Sequence, residues 1–151
     1  MATINWVYKS FNELTTIELY AILQLRNQVF VLEQNCVYQD ADGKDEASFH
    51  LSAWNETHRL VAYCRILPPG LSYAEASIGR VLTADSQRKM GTGKSLMEGA
   101  INKTMLQFEC NTIRISAQEY LKDFYQNLGF VTVGNGYLED FIPHIEMLFT
   151  F

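Results

Sequence analysis

The stretch that decides the fold runs from Ser77 to Met97 and reads SIGRVLTADSQRKMGTGKSLM. Its apolar and partly β-branched beginning, around Ile78, predicts a strand, and Ala84-Asp85-Ser86 predicts a turn. Glycines follow at positions 91 and 93, and from Lys94 onwards the apolar residues recur at helical spacing. The stretch therefore predicts a strand, a glycine loop and a helix in succession.

A glycine loop that opens a helix is typical of a phosphate site. The first turn of a helix leaves backbone N–H groups without partners and carries the positive end of the helix dipole. Glycines remove the Cβ atoms that would keep a ligand away from these groups. Gly93-Lys94-Ser95 matches the tail of a P-loop, but a P-loop needs glycine where this chain has Arg88. A nucleoside triphosphate site is therefore excluded by the spacing.

The residues that remain, Arg88, Gly91 and Gly93, form the pattern R-x-x-G-x-G after a strand that ends Arg80-Val81-Leu82-Thr83. This resembles the acyl-coenzyme A signature of the GNAT superfamily of N-acetyltransferases, whose loop amides hold the pyrophosphate of acetyl-CoA. Lys89 departs from the commonest superfamily pattern, in which glycine often follows the arginine, and this departure leaves both loop glycines in place.

Composition predicts one soluble domain spanning residues 1–151. Apolar residues make up 48% of the chain and charged residues 19%, and the net charge of −5 argues against general nucleic-acid binding. No basic-then-apolar leader and no run of 18 apolar residues is present, which argues against secretion and membrane spanning. Three widely spaced cysteines without a C-x-x-C pair favour free thiols and a reducing compartment, so we expect a cytoplasmic protein.

Hydrophobic periodicity predicts the remaining elements. We expect a first strand at Ile4 to Tyr8, a helix over about residues 16–32 with a Thr15/Glu18 capping box, and a strand hairpin over 49–54 and 60–67. After the glycine-loop helix, which runs to about Phe108, come a strand at 112–117, a short helix at 120–128 and strands at 131–133 and 144–149. A turn at Gly134-Asn135-Gly136 and a break at Pro143 would join the last two. The mixture predicts an α/β or α+β sheet with helices on its faces.

The resemblance extends over nearly the whole chain. The elements follow the GNAT order, and Phe124-Tyr125-Gln126-Asn127-Leu128-Gly129-Phe130 matches a second superfamily signature, F-Y-x-x-x-G-F. The segments 25–40 and 142–145 are similar to ElaA-like GNAT proteins. The resemblance implies a mixed central sheet, antiparallel except for one parallel pair that splays near the glycine loop, with helices on both faces.

By this resemblance the cosubstrate is acetyl-CoA. The strand residues Val81 and Thr83 are expected to hold the pantetheine arm through backbone groups, whereas the side chain of Leu82 between them points to the opposite face, into the core. Gln118 is expected either to hydrogen-bond the same arm or to cap the following helix. The pyrophosphate contacts are expected, mostly through backbone N–H groups, at Arg88, Lys89, Met90, Gly91, Thr92, Gly93 and Lys94.

Acetyl transfer to an amine needs a deprotonated amine, a hydrogen-bond donor for the carbonyl oxygen and a proton for the departing thiolate. Tyr125 fits the role of proton donor, because the family places this phenol near the sulfur; the alternative is simple packing between Phe124 and Phe130. Glu33, His50 and His144 are the candidate bases. Cys36 is expected to be structural, since the superfamily typically transfers directly within a ternary complex.

An acidic segment lies between Glu33 and Glu46, and it predicts either a solvated turn or a negative rim that attracts an amine. A calcium loop is excluded, because Tyr38 and Phe49 occupy positions that need acidic ligands. The histidines and cysteines have no zinc-ligand spacing, so no metal is expected.

The sequence therefore predicts an acetyl-CoA-dependent N-acetyltransferase whose partner is an amine-bearing small molecule or peptide, with no nucleic-acid or membrane partner. The acceptor's identity and the choice between monomer and homodimer stay open. A non-catalytic acyl-CoA binding or sensing domain is the alternative from another class. A nucleotide-binding module is a third, and Arg88 at the P-loop glycine position argues against it.

Overall fold

The computed structural model describes residues 3–151. They form a seven-stranded sheet in the order β1-β2-β3-β4-β5-β7-β6. Every neighbouring pair is antiparallel except β4 and β5, which are parallel. The strands are β1 Asn5–Ser10, β2 Phe49–Trp54, β3 Leu60–Leu67, β4 Ala76–Thr83, β5 Thr112–Gln118, β6 Val131–Glu139 and β7 Ile142–Thr150. This arrangement confirms the predicted mixed sheet with a single parallel pair.

Helices cover both faces of the sheet, as expected. They are α1 Thr16–Arg26, α2 Thr92–Phe108 and α3 Lys122–Asn127, with short 3₁₀ turns at Phe11–Glu13, Asp85–Gln87 and Glu119–Leu121. The larger core cluster packs α2 and Tyr125 of α3 against one face, and a smaller one packs Ile22 and Val29 against Tyr63 and Leu82. The prediction that Leu82 is a core residue is confirmed.

The first helix differs from its prediction at its carboxyl end. Its start is confirmed, because the Thr15 hydroxyl accepts from the Glu18 N–H and the Glu18 carboxylate accepts from the Thr15 N–H. The α-helix ends at Arg26, however, and residues Asn27–Glu33 continue as a π-helix. A π-helix is bonded from residue i to i+5 and is rare, whereas the apolar spacing of this segment was interpreted as that of a continuous α-helix. The spacing therefore did not reveal where the α-helix ends.

The last hairpin also corrects the prediction. Gly134 to Gly136 do not form its turn but lie within β6, where the register with β7 shifts between Val133 and Tyr137. Pro143 does not break β7, because it pairs with Leu138 beside the turn. The chain reverses at Asp140 and Phe141, both of which have positive φ, at 49° and 65°.

Candidate active site

The sheet opens between its two parallel strands. Backbone pairing of β4 with β5 occurs at Ala76 with Ile113 and at Ser77 with Arg114. Beyond these pairs the strands separate, so the carboxyl-terminal parts of β4 and β5 face a gap. Backbone groups that line such a gap can pair with an extended ligand as they would with another strand. The expected splay beside the glycine loop is thus confirmed.

A bulge in β4 sets the direction of its last residues. The register with β3 shifts because Tyr63 pairs with Leu82 whereas Arg65 pairs with Gly79, which gives β4 one extra residue. Arg80, in that extra segment, has a φ of 50°. Bulges bend a strand and redirect its side chains. Here the bulge separates the residues of β4 that pair with β5 from Val81 to Thr83, which do not.

The glycine loop presents unpaired amides to the same region. Helix α2 begins after Gly91, whose φ is 80°, and its first backbone bond runs from the Ser95 N–H to the Gly91 carbonyl at 3.1 Å. The N–H groups of residues 92–94 precede that bond and have no partner within the helix. A Cβ on Gly93 would lie 3.8 Å from both Thr83 and Phe124. The loop, the end of β4 and helix α3 therefore meet at one place.

The side chains of the loop divide between the interior and the solvent. Thr92 is buried, and its hydroxyl donates to the Gln87 side chain at 2.9 Å, so Thr92 can offer a ligand its backbone N–H but not its side chain. Lys89, Met90 and Lys94 are exposed, and Lys89 has a φ of 66°. The exposed ammonium groups add positive charge beside the free amides.

Arg88 connects the glycine loop to the end of the π-helix. Its Nε donates to the Thr83 carbonyl at 3.3 Å, its Nη2 donates to a Glu33 carboxylate oxygen at 2.7 Å, and it also pairs with Asp85. The hydrogen bond that Arg88 donates to Glu33 raises the pKa of Arg88. The structure therefore brings the candidate base Glu33 to the glycine loop, where its carboxylate pairs with Arg88.

Tyr125 lies on α3 and is 6% exposed. Its ring packs edge-on against Phe124 and Phe130, with ring centroids 5.1 and 5.8 Å apart. Burial, with a smaller contribution from Cys64, raises the pKa of its phenol. The hydroxyl therefore keeps its proton at neutral pH, as a proton donor must, while the ring also makes the packing contacts of the alternative interpretation.

His50 and His144 occupy different parts of the molecule. His50 is buried; its Nε2 donates to the Asp45 carbonyl at 3.0 Å, and its Nδ1, 2.6 Å from the Tyr63 hydroxyl, then accepts from it. Burial lowers the pKa of His50, which favours this neutral ring. Both nitrogens of His50 are thus occupied within the core.

His144 lies on β7, directly opposite Gln118 at the open end of β5. Its Nδ1 donates to the Ile142 carbonyl at 2.7 Å, since a carbonyl can only accept, and this leaves Nε2 with a lone pair in the neutral ring. That Nε2 lies 3.4 Å from a Glu139 carboxylate oxygen. His144 therefore stands closer than His50 to the gap between the parallel strands.

Gln118 occupies the N-cap position of the 3₁₀ turn at Glu119–Leu121, but its side chain makes no capping hydrogen bond. Its side-chain amide instead donates to the Gln34 oxygen at 3.3 Å, which links the end of β5 to the segment that follows the π-helix. Cys36, two residues beyond Gln34, is buried, and its thiol contacts the Asp140 carbonyl at 3.4 Å. All three cysteines are free, as expected.

The acidic segment is neither a solvated turn nor a negative rim, because its central carboxylates form ion pairs with arginines. Arg26, which is fully buried, pairs with Asp40 at 2.7 Å and with Asp45 at 2.6 Å. Arg65 pairs with Asp42 at 2.7 Å and with Asp45 at 2.9 Å. Burial alone would raise the pKa of Asp42 and of Asp45. The hydrogen bonds and charges of the arginines outweigh burial, so both pKa values are lowered overall and both carboxylates remain ionised.

This arginine and aspartate network also reaches the bulge of β4, beside the candidate active site. Arg80, at the bulge of β4, lies with its Nε 2.9 Å from Asp40 and donates from Nη2 to the Asp40 carbonyl at 3.0 Å. The network therefore holds the bulge against the segment that follows α1. The sequence analysis did not predict this network. The available signal was the presence of Arg26, Arg65 and Arg80 on a helix and two strands, whose charges could offset the acidic segment.

Within residues 3–151, no three histidine, cysteine or acidic side chains are grouped as metal ligands. The helices in that range are also too short or too polar to cross a membrane.

Comparison with known proteins agrees with this architecture. The acetyltransferase (GNAT) domain profile matches residues 20–151. Protein ElaA of Escherichia coli is 40% identical over 146 residues, which cover 95% of this chain and 95% of ElaA. An acyl-CoA N-acyltransferase from Pseudomonas aeruginosa has a TM-score of 0.93 at 41% identity, over 98% of this chain and 100% of that chain. The crystal structure of E. coli ElaA has a TM-score of 0.91 at 38% identity, over 97% and 99%. The chain therefore belongs to the GNAT acetyltransferase family, among its ElaA-like members.

Proposed function

We propose that this protein is an N-acetyltransferase that moves an acetyl group from acetyl-CoA to a primary amine within a ternary complex. Membership of the GNAT family supports acyl transfer from an acyl-CoA in general. The observation that carries the proposal is the meeting of Gly93, Thr83 and Phe124 beside the opened strands. At this place the proposed phosphate-binding loop, the unpaired edge of β4 and the helix that carries Tyr125 come together.

In this proposal the amides of residues 92–94 hold the pyrophosphate, with Arg88 and the exposed Lys89 and Lys94 supplying positive charge. The helix dipole of α2 and the unpaired N–H groups favour the anion there. The pantetheine arm lies in the gap and pairs with the backbone of Val81 to Thr83. Gln118 lies on the opposite side of the gap, where its amide can reach the arm.

The reaction itself needs two proton transfers. The amine nitrogen attacks the thioester carbonyl carbon, the carbon–sulfur bond breaks, and coenzyme A leaves as a thiolate. Tyr125 supplies the proton for the departing sulfur as negative charge develops there, because burial keeps its phenol protonated at neutral pH, and solvent then restores the phenol's proton. The attacking amine loses its proton to a base on the acceptor side.

Two of the three candidate bases suit that position. His144 has an Nε2 lone pair in its neutral form and stands opposite Gln118. Glu33 becomes available when Arg88 turns to a phosphate. His50 receives no proton-transfer role in the proposal, since both of its nitrogens are engaged in the core.

A thiol-release assay with acetyl-CoA and a panel of amines tests the proposal, together with calorimetric binding of acetyl-CoA. We expect Tyr125→Phe to lower kcat by about 10²-fold or more, the usual contribution of a positioned proton donor, while acetyl-CoA binds as before. Tyr20→Phe, at an exposed tyrosine of α1, is the matched control and should have no effect. Equal turnover by Tyr125→Phe would leave this tyrosine a packing residue.

The competing function is a non-catalytic acyl-CoA binding domain, which the same loop and gap would also serve. Tight acetyl-CoA binding by the wild type without thiol release from any amine would favour that function and reject the transferase.

A further inference from the structure

A cleft of about 370 Å³ lies between the segment that follows the π-helix and the turn that joins β6 to β7. One wall is formed by residues 34–37, which follow the π-helix, and the other by residues 140–142, which form the turn between β6 and β7. The contact between the Cys36 thiol and the Asp140 carbonyl joins the walls. Gln34, on the first wall, accepts from Gln118 at the open end of β5. This hydrogen bond links the first wall of the cleft to the end of β5, on which the proposed transfer site depends.

Apolar side chains stand at the rim of this cleft. Phe141 is 95% exposed and Val37 is 98% exposed, although both types of side chain normally gain from burial. Single exposed apolar residues are common, but these two face one cleft from opposite walls. An apolar group bound between them would cover both.

The turn that carries Phe141 is held in an uncommon conformation. Asp140 and Phe141 both have positive φ, a region that a two-residue turn usually fills with asparagine and glycine. A bulky residue there is a backbone outlier, and such outliers concentrate at ligand sites. The strain places an aromatic ring at the cleft mouth.

The charges near the cleft are few. Asp140 is the carboxylate among its lining residues, and Glu139 precedes it. The nearby acidic segment offers no further attraction, because Asp40, Asp42 and Asp45 are already paired with arginines. This balance suits a ligand with one positive charge better than a ligand with several.

We infer that this cleft takes the acceptor, and that the acceptor is a monoamine with an apolar aromatic or aliphatic body. The inference rests on the proposed transferase function and specifies its substrate class. The ammonium group approaches from the side of Asp140 and loses one proton before its nitrogen bonds to the acetyl carbon. Coenzyme A takes up one proton as it leaves, and the apolar body stays between Val37 and Phe141.

The test compares 2-phenylethylamine and n-hexylamine with spermidine and putrescine in the thiol-release assay on the full chain. We expect kcat/KM to be at least about tenfold higher for the two monoamines, which corresponds to a modest apolar contact. Phe141→Ala should raise KM for 2-phenylethylamine by a similar factor and leave the Kd of acetyl-CoA unchanged. Phe151→Ala, at an exposed phenylalanine outside the cleft, is the matched control.

The possible outcomes separate this inference from the proposed function. Preferential turnover of spermidine or putrescine, or an unchanged KM in Phe141→Ala, would overturn the inference about the acceptor. Either result would leave the proposed transferase function unaffected. Bound acetyl-CoA without turnover of any amine would reject both. A dimer in analytical ultracentrifugation that Phe141→Ala dissociates, with KM unchanged, would assign the rim to a second copy of the chain instead.

Discussion

Gly91 allows cofactor binding to be separated from stability. It has a φ of 80°, and a Cβ built on it meets no atom within 4 Å. Gly134, in β6 and away from the glycine loop, has a φ of 73° and equally open surroundings. Alanine at either position therefore costs only the strain of the left-handed region, about 1 kcal/mol. For a domain of this size we expect a fall in Tm of about 2–4 °C in both variants.

The two variants should differ in their binding of acetyl-CoA. A methyl group at position 91 would stand beside the amides of residues 92–94, which we propose to hold the pyrophosphate. Loss of one hydrogen bond to a charged group is worth about 1.5–3 kcal/mol. The Kd of Gly91→Ala should therefore rise by roughly 10- to 150-fold, whereas Gly134→Ala should bind like the wild type.

Calorimetric titration with acetyl-CoA and a thermal melt of each variant supply the two measurements. If Gly91→Ala and Gly134→Ala bind equally tightly, the loop is not the pyrophosphate site and the reasoning fails. If Gly91→Ala melts far below Gly134→Ala, an unrecognised contact exists at position 91, and its binding result would not isolate the amides.

Three further predictions concern the ionisable groups. Arg26→Met leaves Asp40 and Asp45 short of a buried partner, so the free energy of unfolding should fall by about 3–5 kcal/mol in urea titration, and a value near zero would contradict the network's role. Glu33→Gln releases Arg88 for phosphate, so acetyl-CoA should bind about two- to fivefold more tightly by calorimetry, with weaker binding as the contrary result. Burial lowers the pKa of His50, so the unfolded chain takes up its proton first, and stability should decline below about pH 6.5; His50→Gln should lack this component when both proteins are melted across the pH range.

Much of the fold was predictable because its elements are strongly periodic. The strands Phe49–Trp54 and Leu60–Leu67 were placed at their observed ends, and α2 was placed to within two residues at its start. The last hairpin was not, because Gly134 and Gly136 are the usual turn residues and the real turn uses Asp140 and Phe141. Local propensity misplaces a turn whenever a strained pair is held by its surroundings.

The candidate site divides in the same way. The glycine loop is local in sequence, so its position at the start of α2 follows from Gly91 and Gly93. The pairing of Arg26 with Asp40 and Asp45, and of Arg88 with Glu33, joins residues 14 to 55 positions apart. No periodicity indicates which charges meet over such separations. The acidic segment was consequently interpreted by its composition, which does not reveal the arginines that neutralise it.

The opening between β4 and β5 also bears on how the chain assembles. Strands β1 to β4 come from residues 5–83 and strands β5 to β7 from residues 112–150, so each half of the sheet is one continuous length of chain. Within residues 3–151, two residue pairs join the halves by sheet pairing, and α2 bridges them. The gap between β4 and β5 is thus the boundary between the two halves of the sheet. A ligand that bound along this boundary would contact both halves, and it would oppose partial unfolding in which one half detaches.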